Sequence, residues 1–277
     1  MTAAEARPPA TRADSLRKRI ISAAVLIPAT LAAHWFGGAA FAALVAFAVV
    51  LMCFEWARMI EGRQTSRVFW SLAIAGAGAM TAAAALNYVL AFAFVAAGGL
   101  AAAGFSARGA GRPLWALFGA LYIIAPSVGL LWMRESVPQG WGLTALLYCV
   151  VWAADTGGYV GGRIVGGPKL SPSVSPAKTW AGAIGGVLLG AAAGAAGAVV
   201  FLKGEATAFW GLAGACLGLA SILGDMAESG FKRLFGLKDM SQLIPGHGGV
   251  LDRLDGMIFA TTAMALVLYA QSVSERW

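Results

Sequence analysis

Charged residues are scarce in this sequence: Asp, Glu, Lys and Arg make up 12% of its 277 residues, about half the roughly 25% of a soluble globular domain. With 59% of the residues hydrophobic, that excludes a water-soluble protein, because too little polar surface remains to hydrate it. Lipid must take the place of that hydration, in keeping with a mean hydropathy of +0.75. Cysteine and histidine are rarer still. Cys53, Cys149 and Cys216 lie far apart within apolar stretches, without metal-ligand spacing, and read as small hydrophobes of helices. His34 and His247 add no His/Cys cluster. Basic residues give a net charge of +7 but are scattered over loops, which is the signature of membrane topology rather than of a nucleic-acid footprint.

What is present is apolar sequence in membrane-sized lengths. A crossing needs roughly 20 apolar residues, and such stretches fall at 20–36, 39–58, 68–86, 88–104, 114–133, 141–160, 180–202, 207–223 and 256–274. The expected fold is therefore all-α, a polytopic integral membrane protein of about nine transmembrane helices. Residues 1–19, polar and basic, are expected to form a disordered cytoplasmic tail. The apolar run after it has no cleavage site and is followed at once by further apolar segments, as in an anchor rather than a signal peptide. If the N-terminus is cytoplasmic and the crossings alternate, seventeen of the twenty Lys and Arg residues fall inside, leaving only Arg134, Lys203 and Arg276 outside. That is the bias of the positive-inside rule. Abundant Gly and Ala, as in Ala191–Gly197, let helix backbones approach closely.

Two inside segments, 155–180 and 225–255, are too polar to be connections only. They divide the chain into helices at 20–113 and a catalytic region at 114–277. Between them they hold Asp155, Asp225, Glu228, Asp239, Asp252 and Asp255, six of the thirteen acidic residues. Asp155 is expected in the last turn of the sixth crossing, Asp225 at the end of the eighth, and Asp252 and Asp255 at the entrance to the ninth. Carboxylates at membrane depth are costly and usually functional. Asp225, Glu228 and Ser229 share a helical face by their i, i+3, i+4 spacing, and Asp252 and Asp255 share another. Oxygen ligands without His or Cys suit a hard cation such as Mg²⁺. Lys178, Lys232, Arg233, Lys238 and Arg253 surround these acids, and the glycines of Pro245-Gly246-His247-Gly248-Gly249 can turn backbone N–H groups toward an anion. Carboxylates, cations and glycines together describe phosphoryl or nucleotidyl chemistry. His247 reads equally as a turn residue and as a substrate contact. Elsewhere, Glu55 with Arg58 reads as a helix-end pair, and His34 as an interfacial residue.

One stretch is distinctive. Ser229-Gly230-Phe231-Lys232-Arg233, then Lys238-Asp239, then Leu243-Ile244-Pro245-Gly246-His247-Gly248-Gly249-Val250-Leu251-Asp252-Arg253-Leu254-Asp255 resembles the signature of the phosphatidate cytidylyltransferase (CDP-diacylglycerol synthase) family. Leu223-Gly224-Asp225, Asp155-Thr156-Gly157 and Ser175-Pro176-Ala177-Lys178-Thr179-Trp180-Ala181-Gly182 also look like that family. Many of its members carry Glu or Gln after the Lys-Thr-Trp, where this chain has Ala181, so no side-chain role is expected there. The resemblance covers residues 145 to 260 well and the first 110 residues mainly as hydrophobic helices. It implies that CTP and phosphatidic acid give CDP-diacylglycerol and pyrophosphate with Mg²⁺, at a site that also accommodates a monovalent ion such as K⁺. By the same resemblance, Asp225, Asp252 and Asp255 hold metal with Asp155 and Glu228 in support. Lys178 joins these three aspartates in catalysis. Lys232, Arg233, Ser175, Thr179, Lys238, His247, Gly248, Gly249 and Arg253 would contact substrate. It also implies a homodimer in the plasma (inner) membrane with a cytoplasmic active site and no nucleic-acid partner.

Other readings fit less well. A CDP-alcohol phosphatidyltransferase needs an Asp-Gly-x₂-Ala-Arg pattern followed by spaced aspartates, and Asp255-Gly256 leads only into apolar residues. A lipid kinase would transfer a γ-phosphate and release no pyrophosphate. A transporter places its charged groups near the bilayer midplane, whereas here they gather at helix ends.

Overall fold

The structure is a computed structural model that describes residues 12–109, 111–246 and 248–274. His247 and the tail up to Thr11 lie outside the described residues. Ten α-helices follow in order: α1 Arg12–Phe36, α2 Gly38–Glu61, α3 Arg67–Ala84, α4 Tyr88–Ala107, α5 Pro113–Gly119, α6 Ala125–Ser136, α7 Gly140–Ile164, α8 Trp180–Phe201, α9 Thr207–Leu234 and α10 Leu251–Ser274. Among the described residues, eight spans are long and apolar enough to cross a membrane, and Ile20–Phe36 is a shorter apolar helix. The chain is an all-α, multi-pass membrane protein. Its only described strands, β1 Lys169–Ser171 and β2 Ser175–Thr179, form an antiparallel hairpin pairing Lys169 with Thr179 and Ser171 with Ser175.

α5 and α6 make one crossing, joined by a π-helical turn at Ala120–Ile124. Pro126 follows one residue later and has no N–H to donate, while the wider turn is closed by Ala125 N–H to the Ala120 carbonyl. Ahead of that turn Trp56 lies against Gly119, where an added Cβ would come 2.4 Å from the indole nitrogen. The same nitrogen donates to the Trp115 carbonyl at 2.9 Å.

The core has two characters. Large side chains (Phe41, Trp56, Leu72, Ile123, Leu131) fill the space among α2, α3 and the α5–α6 crossing, and Met240, Val250, Leu251 and Ile258 of the later chain join this cluster. The α7–α8–α9 layer is built on backbone contact instead. A Cβ at Gly157 would sit 2.3 Å from the Gly185 carbonyl oxygen, and one at Gly194 would sit 2.1 Å from that of Trp210. Only glycine permits such approach, and close packing of small residues replaces the hydrophobic effect where lipid is the solvent.

Several expected boundaries shift, that of α7 because its glycines pack on α8. α7 continues to Ile164, so Asp155 lies more than two turns before its end, and residues 155–164 are helix rather than loop. α9 likewise runs past Asp225 to Leu234. The connection before α10 is therefore 235–250, and that before α8 is short and mostly hairpin. Helix α1 begins at Arg12, within the segment expected to be a disordered tail. His34, expected at an interface, is buried and stacked on Trp141, and Arg134 of α6 donates to its carbonyl at 3.0 Å.

Candidate active site

The facing ends of α7, α9 and α10, with the hairpin and the 235–250 connection, enclose an open cavity of about 1060 Å³. Its position follows from one close crossing: a Cβ at Gly224 would lie 2.5 Å from the Asp255 carbonyl oxygen. That contact sets the next residue on α9, Asp225, beside Asp255 on α10. Both line the cavity, as do Asp155 of α7, Asp239 and Asp252. Val151, Trp152 and Met257 form an apolar part of the same wall. One cavity thus joins a charged pole to an apolar flank.

Two lysines are distributed over these acids. Lys178 leaves the end of β2 and meets Asp225 at 2.6 Å, and it donates to the Ile222 carbonyl at 3.4 Å. The next residue, Thr179, caps α8 by accepting from the Gly182 N–H at 3.1 Å, which fixes where the hairpin hands over to the helix. Lys232 bridges Glu228 at 2.6 Å, one helical turn before it, and Asp252 at 2.8 Å across the crossing. The Glu228 side chain is only 1% exposed, and the Lys232 ammonium faces it directly.

The connection after α9 is held by its backbone and by two carboxylates. Ile244 and Gly248 exchange N–H···O bonds of 2.8 and 3.1 Å, closing a turn in which Gly246 and Gly248 both take positive φ, a conformation that favours glycine. Asp252 Oδ2 accepts from the N–H groups of Gly249 at 3.0 Å and Met240 at 3.2 Å. The second carboxylate is Glu55 of α2. It is fully buried, accepts from the N–H groups of Val250 at 2.9 Å and Leu251 at 2.7 Å, and takes a short hydrogen bond from the Ser241 hydroxyl. The expected helix-end pairing with Arg58 is thereby corrected: Glu55 is bound to the connection instead.

Of the expected site residues, Asp155, Lys178, Thr179, Asp225, Lys232, Gly248, Asp252, Arg253 and Asp255 line the cavity together. Glu228 joins them through Lys232, and Gly249 through its bond to Asp252. Arg233 and Lys238 do not line it. Both are exposed, and Arg233 donates to the Leu237 carbonyl across the turn that ends α9. Ser175 sits half-buried at the start of β2, paired with Ser171. Several lining residues were not anticipated as site residues: Asp239, Tyr159 and Arg163, the last donating to the Tyr159 hydroxyl at 2.5 Å. For Tyr159 and Arg163 the signal was spacing, since Asp155, Tyr159 and Arg163 repeat at i+4 along one face of α7.

Among the described residues no three His, Cys, Asp or Glu side chains form a ready-made metal cage. The donor set nonetheless fits a hard cation. Asp155, Asp225 and Asp255 lie within electrostatic reach of one another, and among the described residues they share one ion pair, that of Lys178. An all-oxygen group with surplus negative charge suits Mg²⁺ rather than a softer metal.

A polytopic bundle that gathers carboxylates, lysines and a glycine turn around a half-apolar cavity is a membrane enzyme for phosphorylated substrates. The chain belongs to the cytidylyltransferase family, whose model matches residues 17–271. It is 39% identical over 262 residues to the phosphatidate cytidylyltransferase of Brucella suis biovar 1 (strain 1330), covering 91% of this chain and 93% of that one. With the phosphatidate cytidylyltransferase of Pseudomonas aeruginosa it shares 35% identity over 270 residues, 92% of this chain and 97% of the relative. The enzyme of the same name from Staphylococcus saprophyticus is 36% identical over 155 residues, 55% of this chain and 59% of its own.

Proposed function

We infer that the chain is a phosphatidate cytidylyltransferase: it joins CTP and phosphatidic acid into CDP-diacylglycerol and releases pyrophosphate, a step of phospholipid synthesis. The observation that carries this reading is the single cavity in which Lys178 and Lys232 stand among Asp155, Asp225, Asp252 and Asp255 beside an apolar wall of Val151, Trp152 and Met257. A lipid phosphate and a nucleotide triphosphate are both anions, so bringing them together requires cations at the meeting point, and the acyl chains require an apolar flank. An oxygen of the phosphatidic acid phosphate attacks the CTP α-phosphorus. The new P–O bond forms as the bond to the β-phosphate oxygen breaks, and pyrophosphate leaves. A phosphate monoester is largely ionised near pH 7, so no side chain has to remove a proton first.

Asp225, Asp252 and Asp255 are assigned to hold Mg²⁺, with Asp155 and Glu228 in support; when bound, the ion offsets charge on the triphosphate and leaving group. A monovalent ion such as K⁺ is assigned to the same acidic group. Lys178 and Lys232 neutralise phosphate oxygens. Thr179, Gly248 and Arg253 line the path of the nucleotide, and Gly249 keeps the Asp252 carboxylate oriented. The active site faces the cytoplasm of a bacterial inner membrane, a placement supported by seventeen of twenty Lys and Arg residues falling on that side when the crossings alternate. The homodimer implied by the family signature remains part of this reading.

The test uses purified full-length protein in detergent with phosphatidic acid and Mg²⁺, offered CTP or ATP in separate reactions. CTP-dependent release of pyrophosphate with a new CDP-lipid is the expected outcome. ATP-dependent phosphorylation of a lipid without pyrophosphate would replace this reading with a kinase.

A further inference from the structure

We infer that Glu55, on α2 and away from the cavity wall, is a positioning residue that caps α10 from a distance and thereby sets the Asp252 carboxylate over the cavity. Helix α10 brings no side-chain oxygen at its N-cap position. Its N-cap position is Val250, whose carbonyl accepts the first helical bond from the Leu254 N–H at 3.1 Å and whose side chain has no oxygen to offer. The N–H groups at the start of a helix have no intrahelical acceptor, and those of Val250 and Leu251 both end on Glu55, one on each oxygen. The Ser241 hydroxyl binds the first of these oxygens. Glu55 and these partners are separated by 186 to 196 residues.

This grip is shared with Asp252. Asp252 holds Met240 and Gly249, while Glu55 holds Ser241, Val250 and Leu251, the immediate neighbours in each case. Between the two carboxylates runs the backbone of Gly249: a Cβ there would stand 2.8 Å from Asp252 Oδ2 and 2.8 Å from Glu55 Oε1. Glu55 has no ion pair among the described residues, so its buried charge rests on these donors and on the positive end of α10. A Ser or Asp at that N-cap would reach the N–H groups of the second and third helical residues instead, so it could not replace Glu55 at Val250 and Leu251. What the distant carboxylate adds is a fixed place for α10's first turn, and with it for Asp252. The inference rests on Asp252 belonging to the reacting site.

The deciding variant is Glu55→Gln in the full chain, which keeps the size of the side chain but turns an amide NH₂ toward one of the donors. Three quantities are read: steady-state kinetics, the thermal midpoint in detergent, and hydrogen exchange at the Val250 and Leu251 amides. Exchange at these amides is expected to accelerate by roughly tenfold or more. At the same time kcat should fall about 10–100-fold, with the KM for CTP changing far less. A wild-type kcat per folded molecule, even with a lowered thermal midpoint, reduces Glu55 to a stability contact and overturns the proposal. If Glu55→Gln yields no folded protein, Ser241→Ala decides: faster exchange with a several-fold lower kcat supports the grip, and wild-type values of both refute it. Exchange needs no substrate, so it reports on the grip even if CTP turnover is absent, an outcome that would count against the proposed activity alone.

Discussion

Lys232 meets two carboxylates at once, Glu228 on its own helix and Asp252 on the next. All three side chains are largely withdrawn from solvent, with relative exposures of 14%, 1% and 9%. Such a triad is stable only while the ammonium is present, because two buried carboxylates left facing each other repel and lack a counter-charge. Lys232→Met, which keeps the aliphatic bulk, is expected to destabilise the fold by about 3–5 kcal/mol. Adding Glu228→Gln to it should restore part of that loss, since one uncompensated charge goes with it. Thermal unfolding of the three proteins in detergent checks both expectations; an unchanged midpoint for Lys232→Met would show that the triad is solvated and of little energetic weight. Activity is expected to be lost in both variants, because Lys232 lines the cavity.

Among the elements, α8 and α9 show how little side chain a membrane contact needs. A Cβ at Gly194 meets the Trp210 carbonyl at 2.1 Å, whereas one at Gly211, on the neighbouring helix, finds only Ala195 Cβ at 3.5 Å and the Ala191 carbonyl at 3.7 Å. The same substitution should therefore have opposite signs at the two sites. Gly194→Ala forces the backbones apart and is expected to cost about 1–3 kcal/mol. Gly211→Ala meets ordinary contact distances and gains up to about 1 kcal/mol of helix propensity. Thermal midpoints measured side by side test this, and equal shifts would contradict the close approach. The same glycines explain what was and was not legible in the sequence. Apolar lengths of roughly one bilayer revealed all but the short hairpin and placed most helix centres. Gly157-Gly158 and Gly161-Gly162, however, look like helix breakers in water, so residues 155–164 read as loop. In the bundle they are the contact surface on α8, and Asp155 moved from a helix end to a helix interior as a result.

At the scale of the molecule, the half that carries the acids is not self-sufficient. The motif from Ser229 to Asp255 was visible because its residues are close in sequence, and so was the cavity's chemistry. The role of Glu55 was not, since no local spacing relates it to Val250 or Leu251; only the fold brings them together. The large-residue core is likewise shared, with Met240, Val250 and Leu251 packed into the cluster of Trp56 and Leu72. Residues 113–277 expressed alone are thus expected to give no turnover. Co-expression with residues 1–112, splitting the chain between α4 and α5, should recover it. CTP turnover by the 113–277 fragment alone would show that α2 is dispensable.

The long reach of Glu55 has a consequence for the birth of the protein. A ribosome adds roughly 5–20 residues per second, so α2 enters the membrane some 10–40 s before the segment that will satisfy its carboxylate is synthesised. During that interval Glu55 must find water, a translocon contact or a proton to tolerate its place near the bilayer. The nascent chain therefore carries a carboxyl group without its final partners until the first turn of α10 has been made, and the grip on that turn can close only then.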